Sequence, residues 1–155
     1  MTPDLPGGTV SFLFTDIEGS TPLWESEPDL MRRALAQVLR RQGQIDQAIG
    51  VYQDTLRAWQ HTGHRGAIAQ QLESLAFIAI DLNQGERAAR LMGAADSLRE
   101  LGGAARMTHQ QAEYEQALVK LRAQISPAAL ETAWAAGKGR SFDQAVDYAL
   151  SDGPA

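Results

Sequence analysis

The sequence predicts an all-α fold of about seven helices in antiparallel hairpins, preceded by a short N-terminal strand-like segment. Three observations carry that prediction. From about residue 26 onward, apolar residues recur at i, i+3, i+4 and i+7, the spacing that lines one face of a helix. Gly43, Gly63, Gly85 and the Gly102-Gly103 pair fall where those apolar runs stop or restart. Ser or Thr also stands before several runs, with Gln or Pro at the offsets that helix capping uses.

Residues 9–15 are β-branched and aromatic and end at a turn, as a buried strand does. Ser26 or Asp29 is expected to cap the first helix, which ends before Gly43. Ile45, Ala48, Ile49, Tyr52, Leu56 and Trp59 mark a second helix that stops by Gly63. The third, from about Ala67 to Leu82, carries Ile68, Leu72, Leu75, Ala76 and Ala79 on one side and Phe77, Ile78 and Ile80 around the other. Apolar nearly all round, it is expected to be the most buried. Gly85 opens a fourth helix with Ala88, Leu91, Met92, Ala95 and Leu98 inward. Thr108 with Gln111 reads as a capping box for a fifth, with Tyr114, Ala117, Leu118, Leu121 and Ile125 on its inner face. Ser126-Pro127 starts a short helix through Trp134, and Ser141 with Gln144 caps a last one that buries Phe142, Ala145, Val146, Ala149 and Leu150.

A faint repeat links Asp46–Gln60 to Glu86–Glu100. Each places an acid two residues before a small Ala and a large residue four further on. The offset is forty residues, although pairing Gly43 with Gly85 instead gives forty-two. Small Ala positions let the two helices of a hairpin approach closely. Residues 26–155 therefore read as a helical-repeat, tetratricopeptide-like domain, and residues 1–25 as a separate N-terminal segment.

The net charge of -5 is unevenly placed. Six of the 19 acidic residues lie in residues 1–31, which hold no base, so the remaining 13 face all 14 bases. That near-neutral remainder argues against phosphate-backbone binding, and nucleic acid is not an expected partner. Arg32, Arg33, Arg40 and Arg41 look basic enough, but three of them fall opposite Leu30, Ala34, Leu35 and Val38 and read as a solvated helix face. Without cysteine there is no thiol catalysis and no Cys-ligated zinc. No basic segment precedes the short N-terminal apolar run and no stretch approaches the length of a membrane span. The expected location is cytoplasmic, with no membrane contact.

The stretch Phe12–Thr21, FLFTDIEGST, holds the chain's candidate chemistry. A strand ending in Asp16, with the Ile17 carbonyl beside it, sets hard oxygen ligands where a divalent cation could sit. Gly19 permits a tight turn, and Ser20-Thr21-Pro22 opens a helix whose N–H groups would face an anion. These ten residues closely resemble the first catalytic strand of class III nucleotide cyclases. The resemblance implies Asp16 and Ile17 as metal contacts and Glu18, Gly19, Ser20 and Thr21 as phosphate contacts. It ends by about Arg33. That mechanism needs a second metal aspartate, usually in a Gly-Asp-Gly hairpin, and no Gly-Asp-Gly occurs in the chain. The contacts therefore read as vestigial, with no catalytic residue and no cofactor expected. Magnesium enters only if another chain completes the site as a nucleotide cyclase.

From about Leu72 onward the chain resembles the tetratricopeptide-like tail of bacterial multidomain cyclase/ATPase regulators. The matching residues are LESLAFIAIDLNQGERAARLMGAADSLRE, EYEQALVKLRAQI, and Trp134, Gly137, Ser141, Gln144, Ala145, Val146, Ala149 and Leu150. A cyclase head joined near residues 33–40 to a repeat tail implies an internal deletion that kept both ends of one regulator. The function implied is a non-catalytic protein-interaction module with a protein or peptide partner. Self-association through residues 9–15 is one such contact, because an isolated strand must pair with something. Other candidate sites read as structural. His61 and His64 are spaced for a metal but lack a third ligand; Gly137-Lys138-Gly139 lacks the flanks of a phosphate loop; Tyr52, Trp59, Tyr114 and Trp134 read as core anchors.

Overall fold

The computed structural model of the chain describes residues 25, 26, 28–103 and 105–151. Seven helices occur among the described residues: α1 (Pro28–Arg41), α2 (Ile45–Thr62), α3 (Arg65–Asp81), α4 (Gly85–Gly102), α5 (Thr108–Gln124), α6 (Pro127–Lys138) and α7 (Phe142–Leu150). The fold is all-α, built of helical hairpins. The expected strand over residues 9–15 lies outside the described residues. The chain forms two compact units that divide after Thr55, inside α2.

In the first unit α1 buries Met31, Ala36 and Leu39, and α2 buries Ala48 and Tyr52. Leu35 and Val38 are half-buried, so the apolar stripe of α1 is turned from the one read off the sequence, while Arg32 and Arg41 are exposed as expected. Ser26 is itself helical and Asp29 lies inside α1. Between the helices Gly43 takes φ +79°, which reverses the chain without the steric cost a side chain would meet.

That turn settles the register of the repeat. The Gly43 N–H donates to Arg40 O at 3.0 Å and the Gln44 N–H to Leu39 O at 2.8 Å. Forty residues on, the Asn83 N–H donates to Ile80 O at 3.0 Å and the Gln84 N–H to Ala79 O at 2.8 Å. Asn83 sits at φ 59°, left-handed like Gly43, a conformation that Asn tolerates better than most residues. Gly43 thus corresponds to Asn83 and not to Gly85, and the fully buried Ala48 and Ala88 occupy equivalent positions.

In the second unit α3 and α4 make the most extensive helix pair. α3 is buried nearly all round, as predicted, from Ile68 through Ile80. α4 is buried just as fully. Its inward face extends beyond the predicted positions to Ala89, Gly93 and Ala94, because Ala and Gly read as neutral on a helical wheel yet admit close neighbours. His64 caps α3, its Nδ1 accepting from the Ala67 N–H at 3.1 Å. The α5 cap falls one residue before the predicted box: the Gln110 side chain accepts from the Met107 N–H at 3.0 Å, and Thr108 is already helical. The caps at Ser126 and Ser141, with Pro127 and Gln144, match the prediction.

α4 packs almost as extensively on α6, and two glycines set their distance. A Cβ at Gly93 would run into the Trp134 carbonyl oxygen and lie 3.0 Å from its carbon. A Cβ at Gly137 would run into the Arg90 carbonyl oxygen and lie 3.0 Å from the Ala94 nitrogen. The helices therefore touch backbone to backbone at two reciprocal points, much as small residues let helices approach elsewhere. α6 continues past Trp134 to Lys138, so Gly137 and Lys138 belong to a helix and not to a loop.

Candidate functional site

The α5–α6 hairpin encloses an open groove of about 650 Å³. One wall comes from α5, where a predicted inner face splits in two. Tyr114, Ala117 and Leu121 turn into the core, while Leu118 and Ile125 stay half-buried and line the groove with the Tyr114 ring. The other wall is α6, with Leu130 and Trp134, and Pro127 closes the joint. Trp134, expected to be a core anchor, is half-buried and fronts the cleft; Tyr114 is buried as predicted though it also meets the cleft, and Tyr52 is buried as predicted. Charge is confined to Arg122, Glu131 and Lys138.

Lys138 is held by α4, its Nζ lying 3.0 Å from Glu100 Oε1 and 3.4 Å from Asp96 Oδ2. The hydrogen bond to Glu100 raises its pKa. Behind Tyr114 lies a buried cluster that sequence reading missed. Glu73 of α3, with its side chain 5% exposed, accepts from Arg99 of α4 through both oxygens, at 2.8 Å from Nε and 3.0 Å from Nη2. Arg106, from the loop before α5, donates to the same Oε1 from Nε at 2.9 Å and Nη2 at 2.6 Å. Its guanidinium stacks 3.7 Å from the centroid of the Tyr114 ring. Burial raises the Tyr114 pKa, with Arg106 pulling against the shift. The legible signal was Glu73 itself, an acid inside a helix apolar on every side, which demands a buried partner. The partner's identity was not legible from 26 and 33 residues away.

The resemblance-based contacts Asp16, Ile17, Glu18, Gly19, Ser20 and Thr21 all lie outside the described residues. His64, spent on capping α3, has its ring 5.1 Å from that of Trp59. Among the described residues no three His, Asp or Glu side chains cluster to hold a metal, and no helix is long and apolar enough to cross a membrane. Chemically, the groove offers shape and apolar surface edged by charge. No protein-family model, no curated protein and no solved structure matches the chain.

Proposed function

We propose that this chain is a non-catalytic helical-repeat interaction module, the remnant of a bacterial signal-transduction regulator, and that the α5–α6 groove receives an apolar segment of a protein partner. The observation that carries this is the groove, whose apolar walls and volume of about 650 Å³ suit a binding cleft. The matching turns at Gly43 and Asn83 support a helical-repeat reading, although the forty-residue period is longer than the roughly 34 residues of a tetratricopeptide unit. Residues 9–15 of a second copy are the occupant we assign, since covering them hides an apolar, β-branched and aromatic sequence of the aggregation-prone kind.

A photo-reactive residue in place of Leu130 tests the groove, and sedimentation velocity with and without residues 1–25 tests self-association. The expected result is a cross-link to residues 9–15 of a second copy and loss of the oligomer on truncation. An oligomer that survives truncation moves the contact to the helical faces. No protein adduct at position 130 refutes the groove. The reading from a different class is a class III cyclase completed by another chain, with Asp16 and Ile17 on magnesium. Conversion of ATP or GTP to a cyclic nucleotide, lost in Asp16→Ala, would establish that reading and sink the module.

A further inference from the structure

We propose that α5 is a hinged wall of the groove and that Arg106 is its latch; the functional consequence rests on the groove reading above. α5 is the least embedded of the long helices in the second unit. Over 17 residues it buries only Tyr114, Ala117 and Leu121, whereas α3 buries 11 residues over the same length. It makes light contact with α3 and α4, and none of the extensive helix pairs includes it. Elements with few buried apolar contacts open locally at lower free energy than the core around them.

Breaks in the helical backbone bound it at both ends. Gly103, left-handed at φ +65°, ends α4 before the loop that leads to α5, and Ser126-Pro127 separates α5 from α6. Polar ties fasten each end to the α3–α4 pair. At the far end the Gln124 amide donates to Ile80 O at 2.7 Å. At the near end stands Arg106. Arg99 already pairs with both oxygens of Glu73, so the carboxylate is compensated within α3 and α4 alone. The second guanidinium is therefore surplus to that pair, and what it adds is attachment: it ties the loop to Glu73 and backs the Tyr114 ring. Because that ring is also groove wall, the latch sets the position of the surface a partner meets. Arg106 is a positioning residue that acts through Tyr114.

Native-state hydrogen exchange on the ligand-free full-length chain tests this. In the wild type, α5 amides are expected to exchange through a local opening, ahead of α3 and α4. Arg106→Ala should speed α5 exchange by about tenfold or more and leave α3 and α4 nearly unchanged. Arg106→Lys keeps a charge near Glu73 but loses the fork and the flat stack, so it should fall between the two. It also carries the test if the Ala variant fails to fold. Uniform protection of α3, α4 and α5 in the wild type, or equal acceleration of all three in either variant, overturns the latch. Since no partner is present, this outcome is independent of cross-linking at position 130, which alone decides whether the groove binds protein.

Discussion

Gly137→Ala puts a methyl group where the Arg90 carbonyl oxygen already lies, with the Ala94 nitrogen 3.0 Å away. Both obstacles are backbone atoms of α4, so no rotamer change relieves the clash. The helices must separate by well over an ångström to restore ordinary contact near 3.5 Å, and dispersion contacts across the crossing weaken with them. Overpacking of this kind costs about 1–3 kcal/mol, and with rigid obstacles the upper end applies. Alanine returns about 0.5–1 kcal/mol through its better helix propensity, leaving a net loss of about 2 kcal/mol. At this chain length that lowers Tm by about 4–8 °C. Thermal unfolding followed by circular dichroism and Trp fluorescence measures it. Three further glycines calibrate the scale. Gly93→Ala meets the Trp134 backbone and should cost as much as Gly137→Ala. Gly85→Ala meets side chains and not backbone, Ile125 Cγ2 at 2.6 Å and Gln124 Cβ and Oε1 at 3.4 Å, and half-buried Ile125 can shift toward the groove it lines, so the cost should be smaller. Gly50→Ala, in α2 with nothing within 4 Å, should stabilise by about 0.5–1 kcal/mol. If Gly137→Ala is as stable as the wild type while Gly50→Ala behaves as expected, the close α4–α6 crossing is wrong.

Leu75, 5% exposed on α3, leaves a cavity when cut back, and Leu75→Ala should cost about 2–5 kcal/mol by urea unfolding. Burial raises the Tyr114 pKa from its ordinary 10.0, so the folded state favours the neutral phenol. Its contribution is complete below pH 10 and is lost as pH rises toward the folded pKa, so between pH 9 and 11 the wild type should lose more stability than Tyr114→Phe. Equal losses would show that Tyr114 ionises freely when folded. Arg87 donates to Ser151 O at 2.9 Å and packs over the Tyr148 ring, holding the C-terminal end of α7. Arg87→Ala should cost about 2 kcal/mol and expose α7 amides first in hydrogen exchange, whereas loss spread evenly over α3, α4 and α7 would deny α7 that dependence.

What the sequence determined by itself was whatever its neighbours along the chain decide. Helix existence, most boundaries and the Ser126 and Ser141 caps depend on residues three or four apart, and there reading and structure agree. The apolar wheel also read α3 correctly as buried nearly all round, but α4, buried as fully, is the helix that both extensive pairs share. The tertiary structure decided what depends on distance between helices. A helical glycine such as Gly93 or Gly137 reads locally as a weak point, or as part of a loop, until the facing backbone is known. Leu118 and Ile125 share the spacing of core residues, and only the separation of α5 from α6 leaves them half-open to a groove. The repeat register was open between forty and forty-two because glycine marked the turn in one hairpin and asparagine in the other; the matching hydrogen bonds closed it. Periodicity states which face of a helix avoids water. It carries no information about how near the next helix comes, and that distance sets the glycine contacts, the buried Glu73 cluster and the groove.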